Sequence, residues 1–461
     1  MSEGSDQNIT LKSSRFHRWI LGVLYLTLCF SYIFLPNGDA AFPWFGGIYT
    51  LQFIVFAAIL FYLRTSSSAM TWVLFLSISA RLILLFTEPV LENDYWRYLW
   101  DGRVLANGIS PYQYKPLDPA LDHLDVFYRN KIGWKQYGTI YPPLAIFLFA
   151  LAHKIAADSL LALKGIFIIF DLGTGFILYA WLKRLKINPI WSAIYFLNPL
   201  VLKEIANSSH LDSAVVFFTT LSVYLFWKSK AQNTISLFGW LSLAAATAIK
   251  YYPICLVPLF FKVDSKRWRG LAAFLALNIF VYLPFLDRAD SFSSGPQAFA
   301  RHWIFNAGLY RAFQKMITYL VTLSTDLAPS GWAEFALQND RITKVIVGLV
   351  FLMFVLYRTR KLDSVFDLPK ECLYILGGLL ILSPVVNPWY VLWLLPFAVI
   401  MRSPPWLLFT FLVVASYSWL YSKELAFYLR WIEYITFFAV FLIHHRTQQK
   451  VIADEPRFPL L

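Results

Sequence analysis

The chain has 461 residues, 58% of them hydrophobic, 19% aromatic and only 15% charged, with a mean hydropathy of +0.56. Soluble domains carry about a quarter charged residues, so this composition excludes a soluble globular protein and specifies a polytopic membrane protein. A formal charge of +13 would point a soluble chain toward nucleic acid. In a membrane protein Lys and Arg are assigned first to loops on one side of the bilayer, which uses most of them, so no nucleic-acid partner is expected. Cys29, Cys255 and Cys372 lie in or beside apolar runs without CxxC spacing or a neighbouring His, which argues against disulfide, zinc and thiol chemistry.

The polar N-terminus leads to an apolar run over about 19–35 that lacks a small-residue cleavage site before Pro36, and it reads as a retained helix rather than a signal peptide. A crossing needs about 20 apolar residues. That length predicts helices over about 17–36, 45–63, 70–87, 160–182, 189–205, 211–227, 234–249, 268–286, 342–357, 404–421 and 427–443. Three shorter runs, about 251–261, 370–383 and 388–401, are flanked or interrupted by Pro253, Pro258, Pro384, Pro388 and Pro396. They read as broken helices around a cavity, where irregular backbone is tolerated at membrane depth. The expectation is an all-α transmembrane bundle of about 11 to 14 spans forming one domain over residues 1–461, with no internal repeat or low-complexity tract.

Basic clusters at Lys12, Arg15 and Arg18, at Lys183, Arg184 and Lys186, at Lys228 and Lys230, at Lys262 to Arg269, at Arg358 to Lys361, at Arg402, and at Arg446 and Lys450 are assigned to the cytoplasm. Three crossings then carry the chain to the far side at Glu88. A full crossing by the apolar run at about 144–155 would invert every later cluster, so that run is expected to enter the membrane only partly. The far side then collects a first large loop over 88–143 with short interfacial helices, a second over 287–341, and the short motifs at 207–212, 250–253 and 387–390.

In the first loop, a helical reading from Asp94 to Ala106 sets Asp94, Arg97 and Asp101 on one face and Trp96, Trp100 and Arg103 on another. An interfacial anchor explains that split. The position of Asp94 directly after a membrane helix also suits a general base toward a sugar hydroxyl, with Arg97 biasing its ionisation. Lys250, between an Ala-rich run and Tyr251-Tyr252-Pro253, reads either as a snorkelling side chain or as a cavity-facing cation. His210 and Asp212 follow Asn207-Ser-Ser, as sugar ligands or as helix-capping groups. Trp389 and Tyr390 fit an aromatic belt or a stacking surface for sugar. Asp171 within an apolar run is a costly buried acid.

The runs Glu92-Asn-Asp94-Tyr-Trp-Arg-Tyr-Leu-Trp-Asp101-Gly-Arg103, Asn107-Gly-Ile-Ser-Pro-Tyr112, Tyr141-Pro-Pro-Leu-Ala145, Asn198-Pro, Asn207-Ser-Ser-His210-Leu-Asp212 and Lys250-Tyr-Tyr-Pro253 together resemble GT-C glycosyltransferases. The resemblance is to polyprenyl-phosphate-mannose-dependent mannosyltransferases of the bacterial and GPI-core types, and it runs from about residue 85 to 260. It implies inverting transfer of a hexose, mannose first among them, from a polyprenyl-phosphate sugar donor to a glycan or lipid-linked acceptor. It places the protein in a bacterial inner membrane with the site facing the periplasm or outside, among membrane lipids. By position it makes Asp94 the catalytic base, with Glu92 the alternative, since many members carry two adjacent acids where this chain has Asn93-Asp94. The lone acid also weakens a metal site, and neither metal nor cofactor is expected. A departing lipid phosphate needs positive charge, for which Arg97, Arg103, Lys115, Lys250, Arg301, His302 and Arg311 are the candidates, Lys250 first, then Arg97, Arg103 and Arg301. Glu92, Asp101, Tyr141, His210, Asp212, Tyr252 and Trp389 are the candidate substrate ligands. Two other readings stay open: a lipid-linked sugar transporter or flippase, disfavoured by one-sided loops and the lack of a repeat, and a noncatalytic assembly subunit.

Overall fold

A computed structural model describes residues 3–63, 69–229, 235–286, 292, 294–324 and 332–454. Among these the chain is helical, with a single isolated bridge between Phe305 and Val385. Lys230 and parts of the expected second loop, 287–291, 293 and 325–331, lie outside the described residues.

Among the described residues six helices are long and apolar enough to cross a bilayer: Phe16–Phe34, Gly38–Leu63, Leu160–Arg184, Arg267–Leu286, Asp340–Arg360 and Lys423–Thr447. They expose large apolar side chains such as Ile54, Phe61, Ile169, Phe280, Met353 and Ile435. Outward-facing apolar surface of this extent fits lipid contact, and the chain is an integral membrane protein. The expected count of 11 to 14 full spans is not reached among the described residues. Met70–Leu85 and Ser236–Ile249 are shorter apolar helices. The run at 189–205 is a correction, because its apolar composition conceals a chain of short turns. Pro189 opens a 3-10 turn, Ala193–Phe196 makes one turn of α-helix, Asn198 accepts from the Leu200 N–H at 2.9 Å beside Pro199, and Leu202–Asn207 is a π-turn. Proline removes a helical donor each time, and wide π-turns occur mostly at functional sites. The run at 404–421 is also divided, into Pro404–Leu412, a 3-10 turn and Ser418–Tyr421. The run at 370–383, expected to be broken, is instead the continuous helix Leu368–Leu382.

These broken segments form the centre. Residues 192–216 are buried throughout, as is 388–400, and the long helices stand around them. Irregular backbone is thus kept away from lipid. Pro143–Ile155, led by Pro142 and Pro143, is a 13-residue helix. At 1.5 Å per residue it spans about 20 Å, short of the roughly 30 Å hydrocarbon core. It packs on the helix Asp94–Ala106 at Gly102, where any Cβ would stand 2.5 Å from the Phe149 carbonyl oxygen.

The acid that the sequence marked as costly has a partner. Asp171 meets Arg81 Nε at 2.5 Å with both side chains buried, and Arg81 Nη1 also donates to the Phe196 carbonyl at 2.8 Å. The pair ties the helices Met70–Leu85 and Leu160–Arg184 to the broken centre. Removing one member of a buried pair strands the other charge, typically at about 3–5 kcal/mol. Asp171→Ala is therefore expected to lower stability by about that amount in detergent thermal unfolding, while the double variant Arg81→Met, Asp171→Leu recovers most of it.

Candidate active site

The first loop begins where the helix Met70–Leu85 ends, and two buried side chains fix its path. Lys164 Nζ donates to the carbonyls of Leu84 at 3.1 Å and Thr87 at 2.6 Å, closing the end of the preceding helix. Asn207 accepts from the Val90 N–H at 2.9 Å and donates to Thr87 Oγ1 at 2.8 Å and the Glu88 carbonyl at 2.7 Å. Asn207 is wholly buried, so the Asn207-Ser-Ser sequence serves as a brace. Leu91 follows at φ 57°, a conformation rare for branched residues, and this kink turns Glu92 inward and sets Asp94 at the first position of its helix.

Glu92 approaches His210 Nε2 at 3.7 Å, and Glu204 approaches the same nitrogen at 3.3 Å. His210 is itself preceded by a left-handed residue, Ser209 at φ 64°. Both backbones of this encounter are therefore strained, as is frequent at functional sites. The imidazole stacks on the Trp389 indole, centroids 3.8 Å apart, and its Nδ1 lies 3.4 Å from Tyr98 Oη. Glu204 also accepts from Tyr417 Oη at 3.1 Å, and Lys203 Nζ lies 3.3 Å from it.

Asp94 is half-buried and makes no hydrogen bond or ion pair with the protein among the described residues. Desolvation raises its pKa above the ordinary carboxylate value, opposed by the positive charges of His210, Lys250 and Arg97. Glu92 is raised to about 7, first by burial and then by the charge of Asp94. Burial alone would lower His210, but the carboxylates of Glu204, Glu92 and Asp94 outweigh it and raise the imidazole. An unpaired acid, a second acid that titrates near neutrality and an imidazolium lie at one place, which is an arrangement suited to proton transfer. Glu92 and Asn93 line a cleft of about 290 Å³, together with Gly38, Phe305, Trp389 and Tyr417.

The other candidates divide. Lys250 holds both oxygens of buried Asp212, at 2.8 and 3.1 Å, and lies over the rings of Tyr390 and Trp393 at 4.4 and 5.1 Å. Trp393 Nε1 also donates to Asp212, and Tyr252 stacks on Trp393 at 3.9 Å. Asp212 thus balances Lys250 beside the site. Arg97 pairs with buried Asp101 at 2.9 Å and donates to the Tyr137 carbonyl at 3.2 Å, leaving Nη2 without a partner. Burial raises Asp101 in spite of Arg97. Tyr141 is buried, its carbonyl accepting from Tyr112 Oη at 2.8 Å, and its ring packs on Tyr98. Arg103 lies nine residues, or about 13 Å, along the helix from Asp94 and is engaged by Asp158 at 2.7 Å and the Leu124 carbonyl. Arg301 is an exposed side chain on the helix Ser294–His302. The structure does not bring Arg103 into the cleft. Glu204, Lys203 and Tyr417 were not among the sequence candidates, since Lys203-Glu204 lies inside a run read as an apolar span. Two adjacent charges there were the available signal. Among the described residues no three His, Cys, Asp or Glu side chains are grouped so as to hold a metal ion.

An all-helical chain with membrane-length apolar helices agrees with the GT-C resemblance of the motifs, and comparison with known proteins agrees as well. Residues 40–263 match the family described as alpha-(1->6)-mannopyranosyltransferase, N-terminal domain. Alpha-(1->6)-mannopyranosyltransferase A of Corynebacterium glutamicum is 22% identical over 198 residues, covering 41% of this chain and 38% of that protein. Alpha-(1->6)-mannopyranosyltransferase B of the same organism is 22% identical over 351 residues, covering 67% and 55%. The chain thus aligns with between about two fifths and just over half of these relatives' lengths. No solved structure matches. The resemblance drawn from the motifs holds: the chain is similar to mannosyltransferases of the GT-C type.

The raised carboxyl of Glu92 has a sign that can be tested. Between its free value of 4.5 and about 7 the folded chain keeps a proton that the unfolded chain releases. Stability therefore declines as pH rises through that window, and the cost is complete above 7. Glu92→Gln is expected to stabilise the protein at pH 8, on the order of 1–3 kcal/mol, and to have little effect near pH 5, read from thermal unfolding at the two pH values.

Proposed function

We propose that the protein transfers a mannosyl group, by inversion, from a polyprenyl-phosphate-linked donor to a lipid-linked or envelope glycan on the outer face of the membrane. The observation that carries this reading is Asp94, a carboxylate with no protein partner that directly follows Glu92 and Asn93 in the lining of the cleft. Similarity to alpha-(1->6)-mannopyranosyltransferases supports the sugar, and the motifs that resemble polyprenyl-phosphate-dependent enzymes support the donor. In this reading Asp94 takes the proton of the acceptor hydroxyl while that oxygen attacks the anomeric carbon. The bond from that carbon to the phosphate oxygen breaks, and its electron pair leaves with the lipid phosphate. Glycosidases need a second carboxyl to protonate an alkoxide. A phosphate leaves as a stable anion, so one base suffices. Glu92 and His210 then act through Asp94: the imidazolium offsets the two nearby acids and keeps Asp94 ionised more readily than burial alone would allow.

Asp94→Asn is expected to reduce turnover with polyprenyl-phosphate mannose by about 10²- to 10⁴-fold in reconstituted protein whose thermal unfolding is unchanged. Near-normal turnover would remove Asp94 from the role. Because the base must be ionised and its pKa is raised, the wild-type rate should fall as pH drops through a value above the usual carboxylate range. In His210→Gln, which loses the imidazolium, that acid limb should move to higher pH.

A further inference from the structure

A departing lipid phosphate needs cations, and those nearest Asp94 are already engaged, Lys250 by Asp212 and Arg97 by Asp101. A second, smaller cavity of about 60 Å³ adjoins the cleft: Phe305 lines both, and Ser416 lines one where its neighbour Tyr417 lines the other. Arg311 and Arg430 both line it. They come from different helices, Gly308–Ser324 and Lys423–Asp454, and each is half-buried. Arg430 makes no hydrogen bond or ion pair among the described residues. Arg311 spends one nitrogen on Gln314 at 2.7 Å. The two guanidinium groups repel one another, and the adjacent buried carboxylate, Glu433, is held by Asn306 Nδ2 at 3.0 Å. The cluster therefore carries at least one positive charge in excess. Half-buried like charges facing one cavity are unfavourable unless an anion lies between them. Arginine forks suit phosphate oxygens.

The surroundings complete the match. Trp419 lines the cavity, and the two helices that carry the arginines expose large apolar side chains, Phe427, Trp431 and Ile435 on that of Arg430 and Met316, Tyr319 and Leu320 on that of Arg311. An anion seated there would have apolar surface alongside for a hydrocarbon chain. Phe305 is fixed by a hydrogen bond to the Pro384 carbonyl at 3.0 Å and one from the Val386 N–H at 2.9 Å, so the residue that cavity and cleft share is held in place.

We propose that Arg311 and Arg430 seat the phosphate of a prenyl phosphate whose chain lies along these exposed aromatic and aliphatic side chains. This rests on the donor class inferred above and moves the phosphate site away from Lys250 and Arg103.

The test is direct binding to the full-length protein in nanodiscs, with farnesyl phosphate, farnesol and inorganic phosphate as probes, in wild type, Arg311→Gln, Arg430→Gln, Arg430→Lys and Asp94→Asn. Wild type and Asp94→Asn should bind farnesyl phosphate alike. Each Gln variant should weaken it at least about tenfold with farnesol binding unchanged, and Arg430→Lys should recover part of the loss. Gln variants that bind farnesyl phosphate as wild type does would overturn the assignment, as would equal losses for farnesol. Tighter binding of inorganic phosphate than of farnesyl phosphate would overturn the lipid as its occupant. Wild type that fails to bind farnesyl phosphate at all would instead overturn the prenyl-phosphate donor itself, so the two failures are distinguishable.

Discussion

Burying Glu92, Glu204 and Asp212 beside a membrane interior is tolerable only where cations stand against them, and His210, Lys203 and Lys250 are those cations. Each unpaired charge in such surroundings would cost several kcal/mol, so the positions of these groups are mutually determined. The imidazole is the hinge of the arrangement, since it faces two acids on one nitrogen and lies flat on Trp389. It joins the first loop, the π-turn at 202–207 and the 388–393 turn. Asp94 is left outside this balance. A carboxylate becomes available for a substrate proton when its neighbours have already settled their charges with one another.

The same economy explains the irregular backbone. A straight helix through 189–207 would place Asn207 and His210 by helical period alone. The proline turns and the π-turn let Asn207 reach the carbonyl of Glu88 while His210 meets Glu92. The positive φ values at Leu91 and Ser209 are held by these contacts. Strain of this kind persists only where surrounding structure over-determines it, and the Lys164 and Asn207 braces supply that.

Much of the site was legible because its parts are local. The helix expected from Asp94 to Ala106 has those bounds, and its one polar face puts Arg97 against Asp101. Charge parity led to the expectation that 144–155 does not cross fully, and the helix there has 13 residues, shorter than the roughly 20 that a crossing needs. What stayed hidden was pairing over long separations. Lys250 carried the marks of a free cation, yet Asp212, 38 residues earlier, holds it. Arg103 is drawn away by Asp158, 55 residues later. Arg81 finds Asp171 across 90. Hydropathy also misread 189–205, because buried broken backbone and a lipid-facing helix share an apolar composition and differ only in where proline falls.

The contact at Gly102 sets a rule for how such sequences can diverge. The atom that a side chain there would strike is the carbonyl oxygen of Phe149, which every amino acid carries, so no exchange elsewhere can make room. At Gly270 the obstacle is the indole of Trp240, and a smaller residue at 240 would admit a larger one at 270. The first position is constrained on its own and the second only as half of a pair, so drift can repack the outer helices while the junction between Asp94–Ala106 and Pro143–Ile155 stays fixed.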